Sequence, residues 1–267
     1  HAPFRLDGRV ALVTGSSTGL GKAMAMALGA AGAKVALNYA NNKDRAEKTF
    51  AAFEAAGHSG KLYRASAIDE GEINGMVKQI EKDLGPVDIV VVNATPDQPQ
   101  KPIELYDWAF YQSMLDFFIK SPFLLSRAVL PHMKKQKWGR IINIGSEVFQ
   151  RGVPNFTAYV AAKGGQCGFT RSLATEVAQW NITVNTVLPG GVRVERPGER
   201  PVSPGWIPVE RHEKDPQELK DGYFAGLPSK RWGVPKEVAD TVVFLASNES
   251  SYVSGQNICV NGAHTVA

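Results

Sequence analysis

Three side chains give the first hint of chemistry. Tyr159 and Lys163 stand four residues apart in a stretch of helical period, so they share a face and can act on one ligand. A free phenol titrates near about 10, too high for an efficient base at neutral pH, and a neighbouring ammonium stabilises its phenolate. Such a pair can give a proton to an oxygen or take one from it. Ser146 lies thirteen positions upstream, at the end of an apolar run, where its hydroxyl can hydrogen-bond an oxygen that gains negative charge.

A second cluster, Thr14-Gly15-Ser16-Ser17-Thr18-Gly19-Leu20-Gly21, separates the first β-branched run from the first helical segment. Glycine lets the backbone turn tightly and come close to a ligand. The free N–H groups and dipole at the helix start favour a pyrophosphate, so this context points to a dinucleotide.

Both clusters need elements to hold them. Short β-branched runs at 10–13, 34–39, 61–65, 88–92, 140–145, 182–187 and 256–260 alternate with helical segments at 21–31, 43–56, 70–84, 108–137, 157–180 and 235–246. This alternation predicts βαβ units and a parallel sheet, and near-continuous apolar runs such as 87–92 suit strands covered on both faces. The chain has 267 residues, 43% hydrophobic and 21% charged, with no internal repeat and no linker, so one domain over 1–267 is expected. The rhythm breaks between Pro189 and Pro228, where Pro and Gly are too dense for a regular element. A substrate lid is expected at about 191–228, with a short helix at 215–225 inside it.

Other classes are disfavoured. The net charge is only +4, and the densest basic run, Lys134-Lys135-Gln136-Lys137, reads as the last turn of a helix, so no nucleic-acid partner is expected. Cys167 and Cys259 form no metal-ligand pattern, so no metal is expected, and they suit a reducing, cytoplasmic setting. No apolar run approaches the roughly 20 residues of a membrane span, and the first residues lack the layout of a secretory signal.

The Thr-Gly-x-x-x-Gly-x-Gly turn resembles that of the short-chain dehydrogenase/reductase family. Asn93-Ala94, the run 139–146 ending in Ser146, Tyr159-x-x-x-Lys163, Val184-Asn185, Pro189-Gly190 and the run 252–262 resemble further family motifs, in the family's order. The resemblance implies a Rossmann-like doubly wound α/β sheet of about seven parallel strands. It also implies hydride transfer between a nicotinamide cofactor and a ketone or secondary alcohol. Tyr159 would be the acid in reduction and the base in oxidation, Ser146 would hydrogen-bond the substrate oxygen, and Lys163 would also hold the nicotinamide ribose.

The same resemblance places the cofactor against Gly15, Ser17, Thr18, Gly19, Leu20 and Gly21, then Asn38, Tyr39 and Ala40, then Ser66 and Ala67. Asn93, Ala94, Thr95, Tyr159, Lys163, Pro189, Gly190 and Val192 complete the cofactor set. Ser146, Val148, Phe149, Tyr159 and Gly191 are the substrate residues, within walls at 146–150, 152–156 and 191–193 and lid aromatics Trp206 and Tyr223. These walls suit a hydrophobic or cyclic small-molecule carbonyl compound. A homo-oligomer is implied, a tetramer or dimer, with the helices at 108–137 and 157–180 at one interface.

The chain departs from the family pattern in five places. Phe118 stands where the family has the Asn of its proton relay, and Val92 and Thr95 replace the first Asn and last Gly of the Asn-Asn-Ala-Gly turn. Ser66 replaces an adenine-contacting Asp, and Val194 replaces a Thr that contacts the nicotinamide amide. The end of the second strand, Asn38-Tyr39-Ala40-Asn41-Asn42-Lys43, has no acid to bind the ribose hydroxyls of NAD(H), so NADP(H) is favoured and NAD(H) is the alternative. The departures also keep open a degenerate member that binds dinucleotide with little catalysis, in a regulatory or assembly role. A sugar-nucleotide epimerase or dehydratase is disfavoured, because those relatives are longer.

Overall fold

A computed structural model describes residues 2–194 and 226–266 of the chain. Within them, seven parallel strands form one sheet: β1 (Val10–Val13), β2 (Lys34–Tyr39), β3 (Gly60–Arg64), β4 (Ile89–Val92), β5 (Gly139–Ile144), β6 (Ile182–Pro189) and β7 (Asn257–Val260). Their spatial order is β3-β2-β1-β4-β5-β6-β7. Leu12 of β1 lies opposite Ala36 of β2 on one side and Val90 of β4 on the other. The winding reverses between β1 and β4, so the carboxyl ends of these two strands open the crevice where such sheets take ligands.

Helices cover both faces: α1 (Gly19–Ala30), α2 (Lys43–Ala55), α3 (Glu70–Asp83), α4 (Trp108–Leu115), α5 (Ser121–Gln136), α6 (Val148–Arg151), α7 (Thr157–Val177) and α8 (Pro235–Ala246). Alternate strand residues feed two cores. Ala11 and Val13 pack with Met24 and Leu28 of α1 and Val238 and Val242 of α8. Val10 and Leu12 pack with Ile73 of α3, Leu125 of α5 and Val177 of α7. Because both faces are buried, the two-residue period appears in the sequence as an unbroken apolar run. Asn42, Asp69 and Asp107 cap α2, α3 and α4 by accepting the backbone N–H of Arg45, Glu72 and Phe110 at 2.9, 2.8 and 2.7 Å.

The expected helix at 108–137 is two helices. A π-helical turn, Asp116–Lys120, separates α4 from α5 and turns Phe118 inward to 2% exposure. Its wider winding re-aims one residue within an otherwise continuous helix, and Pro122, with no N–H to donate, stands in the first turn of α5 directly after it. The expected helix at 157–180 ends as α7, followed by a 3₁₀ turn, Ala178–Trp180. The short α6 was not anticipated, since four residues carry no readable period. Most of the expected lid, including its helix at 215–225, Trp206 and Tyr223, lies outside the described residues. Among the described residues no helix is long and apolar enough to cross a membrane.

Candidate active site

Because every strand runs the same way, all the carboxyl ends share one edge of the sheet. The residues singled out above lie along this edge: Ser66 after β3, Tyr39 ending β2, Gly15 after β1, Asn93 after β4, Ser146 after β5 and Gly190 after β6. An elongated ligand lying across the switch point would meet them in that order.

The turn after β1 is shaped by close backbone contacts. Gly15 adopts φ +63°, and a Cβ there would stand 2.9 Å from the Cα of Ala94, so both conformation and space call for glycine. A methyl group at Gly21 would collide with the Gly15 carbonyl oxygen. Thr18 precedes α1 in extended backbone and its side chain makes no cap, which leaves the first-turn N–H groups to an anion. Thr14 Oγ1 accepts from the N–H groups of Asn93 and Ala94 at 3.0 and 3.1 Å. Asn93 Nδ2 donates to the carbonyls of Thr14 and Gly15 at 3.0 and 3.1 Å, tying β4 to the turn. Thr49 of α2 donates to the Ser17 carbonyl at 2.7 Å. A crowded glycine turn, uncapped N–H groups and a crevice at the switch point together fit a dinucleotide.

Asn38 is a correction to the expected ligand contacts. Its Oδ1 accepts from Gly15 N–H at 3.2 Å and its Nδ2 donates to the Ala65 carbonyl at 3.0 Å, with the residue 2% exposed. The carboxamide is used inside the protein, where it holds the turn, and half-buried Tyr39 and Ala40 are left at the ligand edge. Ser66 is fixed by its N–H donating to Glu72 Oε2 at 2.9 Å. Arg64 reaches the same oxygen at 2.7 Å and the Ala40 carbonyl at 3.3 Å. Ala67 is buried. Thr95 is exposed and accepts a hydrogen bond from Gln98. Past β6, Val194 passes close enough over the glycine turn that a Cβ on Gly19 would lie 3.2 Å from Val194 Cγ1. Val192 bridges to Gly233, which returns the chain toward α8.

The second half of the site is apolar. Lys163 Nζ donates to the Ile144 carbonyl at 2.5 Å, pinning α7 over the end of β5, and to Gln166 Oε1 at 3.4 Å. The same nitrogen sits 3.7 Å from the ring centre of Phe118. Phe118 meets Tyr159 edge-on, centroids 5.3 Å apart at 84°, and Phe156 stacks on Tyr159 at 4.6 Å and 22°. The three predicted catalytic residues therefore come together as buried side chains at this edge, with Ser146 near enough to Tyr159 to oppose part of the effect of burial on its phenol. Burial pushes the Tyr159 phenol up to about 12 against a smaller opposing pull from Ser146, and it pushes the Lys163 amine down to about 7. The sequence leads one to expect the lysine's charge to lower the phenol. The structure shows burial as the larger effect on both, since an aromatic enclosure disfavours either charged form.

Val148, expected at the substrate, is fully buried with Met114, Phe118, Phe156 and Tyr159. It and Phe156, expected as part of a substrate wall, support Tyr159 from within. Phe149 is half-buried and Gly191 buried. Thr14 heads the glycine cluster in the sequence, but its role in tying Asn93 and Ala94 to the turn is visible only in the structure.

A dinucleotide cradle beside a phenol able to transfer a proton is suited to oxidoreduction, and fold and site together define an NAD(P)-dependent oxidoreductase. A family model described as short chain dehydrogenase matches residues 9–201, and one described as Enoyl-(Acyl carrier protein) reductase matches residues 200–265. The chain belongs to the short-chain dehydrogenase/reductase family. It is 34% identical to a 2-dehydro-3-deoxy-D-gluconate 5-dehydrogenase from Formosa agariphila, over 97% of this chain and 93% of that one. Among solved structures it resembles a candidate gluconate dehydrogenase from Agrobacterium tumefaciens, with a TM-score of 0.87, 33% identity and full coverage of both chains. It also resembles a blue fluorescent protein from a metagenomic library in complex with NADPH, with a TM-score of 0.83, 30% identity and coverage of 98% and 100%.

Proposed function

We propose that this protein moves hydride between NADP(H) and a small-molecule ketone or secondary alcohol, with Tyr159 as the proton-transferring group. The observation that carries this reading is the convergence of Ser146, Tyr159 and Lys163 beside the glycine turn at one edge of the sheet. When bound, the cofactor supplies or accepts the hydride. In the reduction direction Tyr159 gives its proton to the substrate oxygen, and in oxidation it removes that proton. Ser146 donates a hydrogen bond to the same oxygen as negative charge develops there. Lys163, held by the Ile144 carbonyl, is placed to bind the nicotinamide ribose hydroxyls and, when protonated, to oppose the effect of burial on the phenol.

The preference for NADP(H) rests on the absence of an acid at the end of β2, and the NADPH-bound structural relative supports it. The test is to titrate NADPH and NADH fluorescence and then assay a panel of cyclic and hydrophobic carbonyl compounds. Tighter NADPH binding with turnover is expected, and tighter NADH binding would reverse the cofactor assignment.

Phe118 favours a second reading. Its ring packs against Lys163 where the family places a polar relay residue, which suits a member that binds dinucleotide and catalyses little. Cofactor binding without turnover across the whole panel would select that role. We also propose that copies associate through the face bearing Trp108 of α4 and Phe123 of α5, which are 67% and 44% exposed. Sedimentation is expected to show a tetramer or dimer, and a monomer refutes it.

A further inference from the structure

Directly after Ser146 lies a carboxylate that the chemistry above does not use. Glu147 is 0% exposed. Burying an ionised carboxylate is costly unless several donors converge on it, and here four do. Arg151 donates to Oε1 at 3.3 Å and His264 Nδ1 to the same oxygen at 2.8 Å. Asn261 Nδ2 and Thr265 Oγ1 donate to Oε2 at 2.9 and 3.2 Å. Three of these four come from one short segment, residues 261–265, that follows β7.

The segment and the end of β7 that leads into it also touch the neighbouring turns. Gly190 N–H donates to the Val260 carbonyl at 3.0 Å, and a Cβ on Gly190 would lie 2.6 Å from that of Asn261, so the tail packs tightly against the turn after β6. Cys259 Sγ lies 3.4 Å from Gln150 Oε1. The Glu147 backbone N–H, in turn, donates to the Pro189 carbonyl at 3.3 Å. One residue thus joins the turn after β5, the turn after β6 and the segment after β7. Ser146 belongs to the same turn, its hydroxyl accepting from Val148 N–H at 3.4 Å, so Ser146 cannot shift independently of its neighbour.

We propose that Glu147 is a positioning residue, through which segment 261–265 fixes the Ser146 turn and hence the placement of the Ser146 hydroxyl against Tyr159. This rests on the hydride-transfer reading, in which Ser146 touches the substrate oxygen. A displacement of about 1 Å at such a donor can cost about 100-fold in rate. The carboxylate's own contacts run to Arg151, Asn261, His264 and Thr265, while the tie to Pro189 is made by the backbone N–H and survives Glu147→Gln, so the substitution is expected to act on turnover more than on nucleotide affinity.

The test uses the full-length protein with Glu147→Gln and, should that variant fold poorly, the double tail variant His264→Ala/Thr265→Ala. Four quantities are read: deuterium exchange of the peptide covering 146–152, kcat and KM on a carbonyl the parent accepts, and NADPH affinity. Exchange at 146–152 is expected to speed up by about tenfold or more while β1 and β4 stay protected. The kcat falls about 10- to 100-fold with KM and NADPH affinity within about twofold of the parent. His264→Asn, which keeps a donor for Oε1, retains most of the rate. Parent-like exchange and kcat in the variants would overturn the proposal, as would loss of protection and nucleotide binding across the whole sheet. A parent that turns over no carbonyl would sink the hydride-transfer reading, while the exchange measurement would still decide whether the tail holds the turn.

Discussion

The two halves of the carboxyl edge are built from opposite materials. Around β1 and β4 the ligand-facing surface is backbone, held by small polar side chains: Thr14, Asn38 and Asn93 all spend their hydrogen bonds on main-chain groups. Around β5 and α7 it is side chain, with Tyr159 and Lys163 packed among Phe118, Phe156, Val148 and Met114. A surface made of N–H groups binds phosphate whatever side chains it carries, but it fails when an added Cβ moves the main chain. A surface made of named functional groups fails when one group is lost, and its enclosure sets their ionisation.

The largest difference between the halves should come from Tyr159→Phe. Removing one hydroxyl from the apolar half is expected to lower kcat/KM by about 10²- to 10⁴-fold, the usual worth of a positioned acid or base. The backbone-built half is untouched, so NADPH affinity measured by fluorescence stays near the parent's. Full turnover in this variant would refute Tyr159 as the proton-transferring group.

Lys163 tests how far enclosure governs the apolar half. Its amine is held at about 7 in the folded protein against 10.5 for an ordinary lysine. Between those values the unfolded chain binds the extra proton, so this group makes stability rise with pH across about 7 to 10.5. Below 7 both states carry the proton and the folded state bears the whole cost of burying it. Lys163→Met is therefore expected to stabilise the fold at pH 6, by about 1–4 kcal/mol, while abolishing most turnover. In calorimetric scans the gain should shrink as pH climbs toward 10.5. A gain that does not change with pH would show that packing, not charge burial, is responsible.

Gly15→Ala attacks the other half. The alanine must adopt φ +63° and also press on Ala94, a combined strain of about 1–3 kcal/mol. Affinity for NADPH and NADH should fall together by about tenfold, since a displaced main chain serves neither nucleotide. If kcat at saturating nucleotide falls as far as it does in Tyr159→Phe, the two halves are not separable.

The contrast between the halves also explains what could be read without a structure. Strands buried on both faces announce themselves, because Val10 to Val13 must be apolar throughout to serve two cores. The glycine turn and the Tyr159–Lys163 spacing are local, and local geometry is written in adjacent residues. What escaped depends on contacts from distant parts of the chain. Asn38 turns inward because Gly15 and Ala65 offer it partners. Val148 and Phe156 close over Tyr159, and the π-helical turn at Phe118 brings an aromatic ring against Lys163. None of these follows from the period of its own segment, and the balance of burial against charge at Tyr159 is settled only once all of them are in place.

The smallest and most selective change is at the end of β2. With Asn38 committed to the interior, Ala40 is the residue of that strand end whose side chain position is half-buried beside the turn and carries no polar group. Arg64 already reaches the Ala40 carbonyl at 3.3 Å but is paired with Glu72 at 2.7 Å, so its own charge is already engaged. The proposed preference for NADP(H) rests on the absence of an acid at this strand end, and introducing one should undo it. Ala40→Asp places a carboxylate where it repels a 2′-phosphate and accepts from the ribose hydroxyls of NADH. The ratio of NADH to NADPH affinity is expected to move about tenfold toward NADH, with fold stability unchanged. Unlike Gly15→Ala, which weakens both nucleotides alike, this substitution must separate them, and parallel loss of both would place the ribose away from β2.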